Sequence, residues 1–302
     1  PVSFDLFFDR EELVEDLAAS AFSLQKNVHQ NFALVSPRRF GKTSVFVKLQ
    51  SQLEKKGFAV VYFDCSEVFP NTLENLLNAY AERVLKAFSN ASGLNFLPER
   101  IAQAVSGAPD AVSSLVSSLV SRFGIEVGNH FTAWIELKSS RKNEQKFFET
   151  TFDLAEILSK KTGVKCVVFL DEFQKLLDFG EPFLWALRAR LQHHKNTVYF
   201  VAGSSVGTVN YLLSEKKSPL YNLFLLRDLA PFTVSQTRDF VKKRFATVKL
   251  EIADDALDKI ISITNGIPFY VQLIGLNAYF IALHKKAKNI SSPLVEEAYA
   301  LS

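Results

Sequence analysis

The sequence predicts an α/β fold: a three-layer αβα sandwich around a parallel five-stranded core sheet, followed by a C-terminal helical lid domain. Three observations predict it. Short, continuously apolar runs rich in β-branched and aromatic residues recur through the first 230 residues, as strands covered on both faces do. Segments with helical spacing separate them, the alternation that builds a parallel sheet. After Pro231 the pattern is helical throughout. With 302 residues, 48% of them hydrophobic and 22% charged, the chain can bury a sizeable core, which excludes wholesale disorder.

The elements follow in order. Asn31–Val35 (NFALV) is a buried strand ending at Ser36-Pro37, and Thr43–Glu54 carries Val45, Phe46, Leu49 and Leu53 at helical spacing. Ala59–Phe63, Cys166–Leu170 and Thr197–Ala202 are three more strands, and Leu223–Leu226 is the candidate for a fifth. Residues from about 91 to 150 read as an insertion decorating the sheet. It holds a Ser-rich helix at Ala111–Phe123, then Ile125–Val127 and Ala133–Leu137 as a hairpin across Gly128-Asn129-His130. A helix at Phe147–Lys160 leads back to the sheet, and further helices are expected at Phe183–Gln192 and Val206–Leu213. Val234–Phe245, Ala253–Thr264, Pro268–Leu283 and Pro293–Leu301 then form the small helical domain, so the expected division is residues 1–230 and 231–302.

Charge and cysteine usage narrow the class. Thirty-five Lys and Arg against 32 Asp and Glu leave +3, too balanced for a nucleic-acid coat or a polybasic membrane surface. Cys65 and Cys166 lie in or beside strand-like runs, as buried reduced thiols do, and do not suggest a disulfide scaffold or a zinc site. The acidic opening PVSFDLFFDREEL is unlike a secretory signal. Gly266–His284, the least polar long window, is interrupted by Pro268, Gln272 and Asn277 and reads as a buried helix, not a membrane span. A soluble, cytoplasmic protein is expected. The chain starts at Pro1 and contains no Met, as a trimmed product would.

The strongest local signal is Ser36-Pro37-Arg38-Arg39-Phe40-Gly41-Lys42-Thr43-Ser44 between a strand and a helix. A phosphate-binding loop needs converging backbone N–H groups and a helix N-terminus aimed at the negative charge. Lys42 would reach the β- and γ-phosphates, and the Thr43 hydroxyl would ligate Mg²⁺. Ser36 stands where the motif has its first glycine. Arg38 and Arg39 are either phosphate-facing charges or solvated loop residues. The partner motif is Val167–Glu172 (VVFLDE), a strand with two carboxylates at its C-terminal end, the edge where such sheets bind ligands. There Asp171 can hold Mg²⁺, and Glu172 can take a proton from an attacking water. Neither Asp-x-x-Gly at this place nor Asn-Lys-x-Asp is found, so ATP is favoured over GTP. His193 and His194 are adjacent and point about 100° apart on a helix, which suits a polar helix cap better than a metal pair.

Taken together, FDREE before a helix, SPRRFGKTS, VVFLDEFQ, LQHHKNTVYFVAGSS, SPLY and NGIPFYVQ resemble the archaeal-type ATPase family. These are AAA-like P-loop NTPases grouped with the signal-transducing STAND ATPases. The resemblance spans about Phe4 to Leu276. It implies that Ser204 and Ser205 mark the polar tip that senses the γ-phosphate, without choosing between them; as bare chemistry they could cap the next helix. It implies that Gly266-Ile267-Pro268 is where the helical domain closes over the base, and that Arg10 and Glu11 lie beside the adenine site. The family commonly continues SPLY with an arginine; Asn222 follows here, so the arginine finger is unassigned among Arg188, Arg190, Arg227 and a neighbouring subunit. The resemblance implies ATP or ADP with Mg²⁺, weak or partner-dependent turnover, and a protein partner or self-association. Members of the family often continue into a winged-helix DNA-binding domain, expected here to be absent or cut away, and nucleic acid would be reached only through it. The alternative is an interaction scaffold gated by bound nucleotide that hardly hydrolyses it. A helicase is disfavoured, since no arginine-rich QxxGRxGR motif is present.

Overall fold

The computed structural model describes Phe8, residues 10–91 and residues 144–302. The expected helix at 111–123 and hairpin at 125–137 lie outside the described residues, as does Asp9. The elements are α1 (Glu11–Ser23), β1 (Phe32–Val35), α2 (Lys42–Lys55), β2 (Ala59–Asp64), α3 (Leu73–Ala91) and α4 (Glu144–Thr162). They continue as β3 (Cys166–Asp171), a 3₁₀ segment Phe173–Phe179, α5 (Glu181–Leu191), β4 (Thr197–Gly203), α6 (Val206–Ser214) and β5 (Leu225–Asp228). The C-terminal run is α7 (Val234–Thr247), β6 (Glu251–Ile252), α8 (Asp254–Thr264), α9 (Pro268–Lys285), β7 (Asn289–Ile290) and α10 (Ser292–Ala300).

β1 to β5 form one five-stranded parallel sheet in the order β2-β3-β4-β1-β5. β4 thus lies between β1, which leads into the phosphate loop, and β3, which ends in the acidic pair. Every residue of β1, β3 and β4 is buried, the reason these strands read as unbroken apolar runs. Alternation then divides the side chains between two faces. Cys166, Val168 and Leu170 join Ala59, Val61 and Phe63 in a core packed against Tyr80 and Val84 of α3 and Phe152 of α4. On the other face Phe169 meets Phe46 of α2 at 4.6 Å between ring centroids and Phe200 at 5.7 Å.

Two expectations need correction. The fifth strand is Leu225–Asp228, two residues later than the LFLL run. The N–H of Leu225 bonds the carbonyl of Asn31 at 2.8 Å, so β5 starts beside the start of β1. As an edge strand it is only half-covered, and Phe224, just before it, is what the core buries. The helices after Pro231 are not alone: β6 and β7 pair in parallel, and two residues each are too few to show a period.

By internal contacts the chain forms two compact units. One comprises the described residues within 13–35 and 46–227. The other comprises, among the described residues, Phe8 and Arg10 to Glu12, the loop Ser36–Val45 and Asp228–Ser302. Its core is Phe240, Phe245, Leu257, Ile260, Ile274, Val295 and their neighbours, with Phe8 packed against it.

Candidate active site

The loop unit comes first. Beyond β1 the backbone turns through left-handed conformations at Arg39 (φ 73°) and Gly41 (φ 96°) before α2 begins. Nothing lies within 4 Å of a Cβ built at Gly41, so glycine is there for its dihedral freedom. Lys42 opens α2 and is only 5% exposed. A buried ammonium needs acceptors: Lys42 Nζ donates to Ser36 O at 2.7 Å, to Pro37 O at 2.9 Å and to Ser36 Oγ at 3.4 Å. These bonds fold the lysine back across its own loop at the N-terminus of a 14-residue helix. Thr43 and Ser44, in the first turn of α2, are partly buried, as is Phe40.

Arg39, an exposed loop residue, makes contacts that neither sequence alternative names. Its guanidinium lies over the rings of Phe269 (4.7 Å) and Tyr270 (5.0 Å), and its Nη1 donates to Tyr270 Oη. Its carbonyl accepts the N–H of Phe269 at 3.3 Å. The phosphate loop is thereby tied to the first turn of α9, which Pro268 opens. Arg38 is exposed. Arg10 lies in the same unit, its Nη2 donating to Ala230 O and its guanidinium 5.2 Å from the centroid of Phe232. Gly266, at φ 70°, accepts the N–H of Phe232 at 2.8 Å. Arg10, the loop and Gly266-Ile267-Pro268, which are far apart in sequence, thus belong to one unit.

The carboxylates belong to the other. Asp171 closes β3 and is 3% exposed. Its Oδ2 accepts from Tyr62 Oη at 2.7 Å and its Oδ1 from the N–H of Glu172 at 2.9 Å. Glu172 adopts a left-handed conformation (φ 49°, ψ 40°), rare for a residue with a side chain. Its Oε2 accepts from Ser204 Oγ at 2.7 Å and from Gln174 Nε2. Ser205 instead bonds Thr208 Oγ1 at 2.7 Å across the start of α6, so the geometry separates the two serines. Burial pushes the Cys65 thiol well up, and the nearby Asp64, Asp171 and Glu172 push it further. A negative field therefore gathers at the C-terminal ends of β2 and β3. Among the described residues no cluster of three acidic, His or Cys side chains could by itself hold a metal. Mg²⁺ needs none, since one or two carboxylates plus phosphates and waters hold it, and Asp171 offers such an oxygen.

The remaining sequence candidates are engaged elsewhere. Arg188 Nη1 donates to Pro219 O (2.6 Å) and Tyr221 O (2.8 Å), pinning the SPLY turn. Arg190 pairs with Asp153 at 3.4 Å, and Arg227 lies 5.5 Å from the ring of Phe32. His194 is buried between Tyr199 Oη (2.8 Å) and Asp153 Oδ1 (3.0 Å). Sequence reasoning assigned no role to Tyr62, Gln174, Phe269 and Tyr270. Gln174 alone had a signal, its place two residues after Glu172.

Comparison with known proteins identifies the family. Residues 7–274 match the family model of an ATPase domain found predominantly in Archaea. The chain belongs to that family. It carries a P-loop ATPase domain of the archaeal type. None of the curated proteins matches it. Among solved structures, the Walker-type ATPase of Pyrococcus abyssi superposes with a TM-score of 0.59 at 20% identity, over 90% of this chain and 68% of that one. The Orc1 protein of Aeropyrum pernix, solved in complex with DNA, gives 0.60 at 15% identity over 97% of this chain and 65% of its own. The Thermotoga maritima RuvB Holliday junction branch migration motor gives 0.53 at 15% identity, over 100% and 72%. At such identities these likenesses show the fold, and the chain spans only about two thirds of each relative's length. Among the described residues no helix is long and apolar enough to cross a membrane.

Proposed function

We propose that this archaeal-type ATPase domain binds ATP with Mg²⁺, hydrolyses it and acts as a nucleotide-driven switch. The observation that carries the reading is Lys42, a buried cation that donates to carbonyl oxygens of its own loop at the head of α2. Residues Ser36–Ser44 wrap the phosphates, and Lys42 turns from the loop carbonyls to phosphate oxygens. Thr43 and Asp171 hold Mg²⁺, which when bound neutralises charge on the phosphates. Glu172 accepts the proton of the attacking water, and Ser204 senses the γ-phosphate. Arg10 and Pro268 flank the base. Residues 1–230 serve as the ATPase domain and 231–302 as its lid, and Arg39 passes the state of the loop to α9.

Turnover is weak or depends on a partner, because Arg188 is fixed by two carbonyls and Arg190 by Asp153. The same observation favours the second reading, a scaffold that binds ATP or ADP and hydrolyses little. The relatives solved with DNA or described as a branch migration motor suggest a protein partner, self-association or nucleic acid reached through a further domain. We place the protein in the cytoplasm, in keeping with its two buried free thiols.

Steady-state ATP hydrolysis, with binding of a fluorescent ATP analogue on the same samples, tests this. Wild type turns over, Glu172→Gln binds but is inactive, and Lys42→Ala loses binding by about a hundredfold or more. Binding without turnover gives the lead to the scaffold, and no binding ends the phosphate-loop reading.

A further inference from the structure

We infer that Gln174 is a positioning residue for hydrolysis: its side-chain amide and Ser204 clamp one oxygen of Glu172, leaving the other to face the attacking water. The inference rests on the reading of Glu172 as the base. The geometry is asymmetric. Both donors, Ser204 Oγ at 2.7 Å and Gln174 Nε2, converge on Oε2, and Oε1 has no hydrogen-bond partner among the described residues. Gln174 Nε2 also reaches Ser204 Oγ at 3.3 Å, so the three side chains close a ring.

The amide is held in that orientation by what surrounds it. Gln174 Oε1 is buried without a hydrogen-bond partner. A buried amide oxygen left unpaired costs free energy, and it is tolerated here while the NH₂ group faces a carboxylate. Reversing the amide would aim its oxygen at Oε2 and lose both donated bonds. A Cβ built on Gly203 would lie 2.6 Å from Gln174 Oε1 and 2.3 Å from Val209 Cγ2, so the bare backbone of Gly203 makes room for the amide. Glu172 itself has φ 49°, a left-handed conformation rare for a residue with a side chain. General bases act well only when the acceptor oxygen is placed within a few tenths of an ångström, and a glutamate with three free torsions needs such a brace.

The step served is ordinary hydrolysis: a water O–H proton passes to Glu172 Oε1, the water oxygen bonds the γ-phosphorus, and the bridging oxygen leaves with ADP. Gln174 touches none of the reacting atoms. Deleting its donor should therefore lower kcat and leave ATP affinity alone.

The experiment measures kcat, KM and fluorescent-analogue affinity for wild type, Gln174→Met, Gln174→Glu, Glu172→Gln and the double variant Gln174→Met/Glu172→Gln. Gln174→Met keeps the length of the side chain without its donor and should cut kcat about ten- to a hundredfold, with KM and nucleotide affinity within twofold. Gln174→Glu keeps the shape and sets a second carboxylate against Oε2, and its kcat should fall at least as far. In the Glu172→Gln background, where turnover is already lost, Gln174→Met should leave fluorescent-analogue affinity within twofold, as a residue that serves only the hydrolytic step would. Wild-type kcat in both single variants, a rise in kcat, or a loss of nucleotide affinity on Gln174→Met with or without Glu172→Gln would each overturn the assignment of Gln174 while leaving the base intact. Wild-type turnover by Glu172→Gln would instead remove the base and this inference with it.

Discussion

A methyl group added to Gly266 would stand 2.1 Å from the carbonyl oxygen of Phe232, at a φ of 70° that side chains rarely adopt. Backbone cannot yield as a side-chain tip does. Gly266→Ala should therefore destabilise the protein by about 2–3 kcal/mol, read as a lower urea midpoint with an unchanged slope. Arg39 makes a different test. With its guanidinium held over Phe269 and Tyr270, it is a tether more than a phosphate ligand. Arg39→Ala should weaken ATP binding only about two- to fivefold, in keeping with an exposed cation–π contact of ~0.5–1 kcal/mol, against the far larger loss for Lys42→Ala. Equal losses for the two variants would place Arg39 on the phosphates. The motif residues were legible one by one, since phosphate loops and strand-end carboxylates have fixed spacings. Their partners Tyr62, Gln174 and Tyr270 were not, because their roles depend on which chain segments meet.

Among the elements, α4 shows how a helix fixes a strand it does not adjoin in sequence. Glu156 accepts the N–H of Lys195 at 3.0 Å, the N–H of Asn196 at 2.9 Å and Asn196 Nδ2 at 2.8 Å, holding the turn that enters β4. Burial alone would raise its pKa; the hydrogen bonds from Lys195 and Asn196 outweigh that and hold it below the usual value. A carboxyl lowered in the folded state stabilises it fully above the unfolded pKa of about 4.5, and the contribution fades as pH falls through the folded value. Glu156→Gln should thus cost about 1 kcal/mol at pH 7, allowing for solvent screening, and the gap to wild type should narrow below pH ~4 in urea titrations. The strands β1 to β4 were legible to within a residue or so, because full burial makes each an unbroken apolar run. The edge strand β5 was displaced in the reading because its own residues are half-exposed and the apolar signal comes from its neighbours.

For the molecule as a whole, the two thiols report on the integrity of the fold. Cys65 and Cys166 are free and buried, and burial pushes both thiols well up. Since the thiolate is the reactive form, neither should react with an aromatic disulfide reagent at pH 8 until denaturant unfolds the chain, when both should react. Fast labelling of the native protein would contradict the buried placement of β3. The α/β class and the order of its strands along the chain were determined by sequence, and the phosphate-loop and carboxylate motifs could be read there, because periodicity and motif spacing are local properties. Which strands are neighbours, that β4 separates β1 from β3, and that the loop Ser36–Val45 packs with the C-terminal helices were decided only by tertiary structure. So were the brace on Glu172 and the hold on Arg39. Those depend on contacts between residues as distant as Arg39 and Tyr270, whose meeting depends on chain crossings and packing that no local pattern encodes.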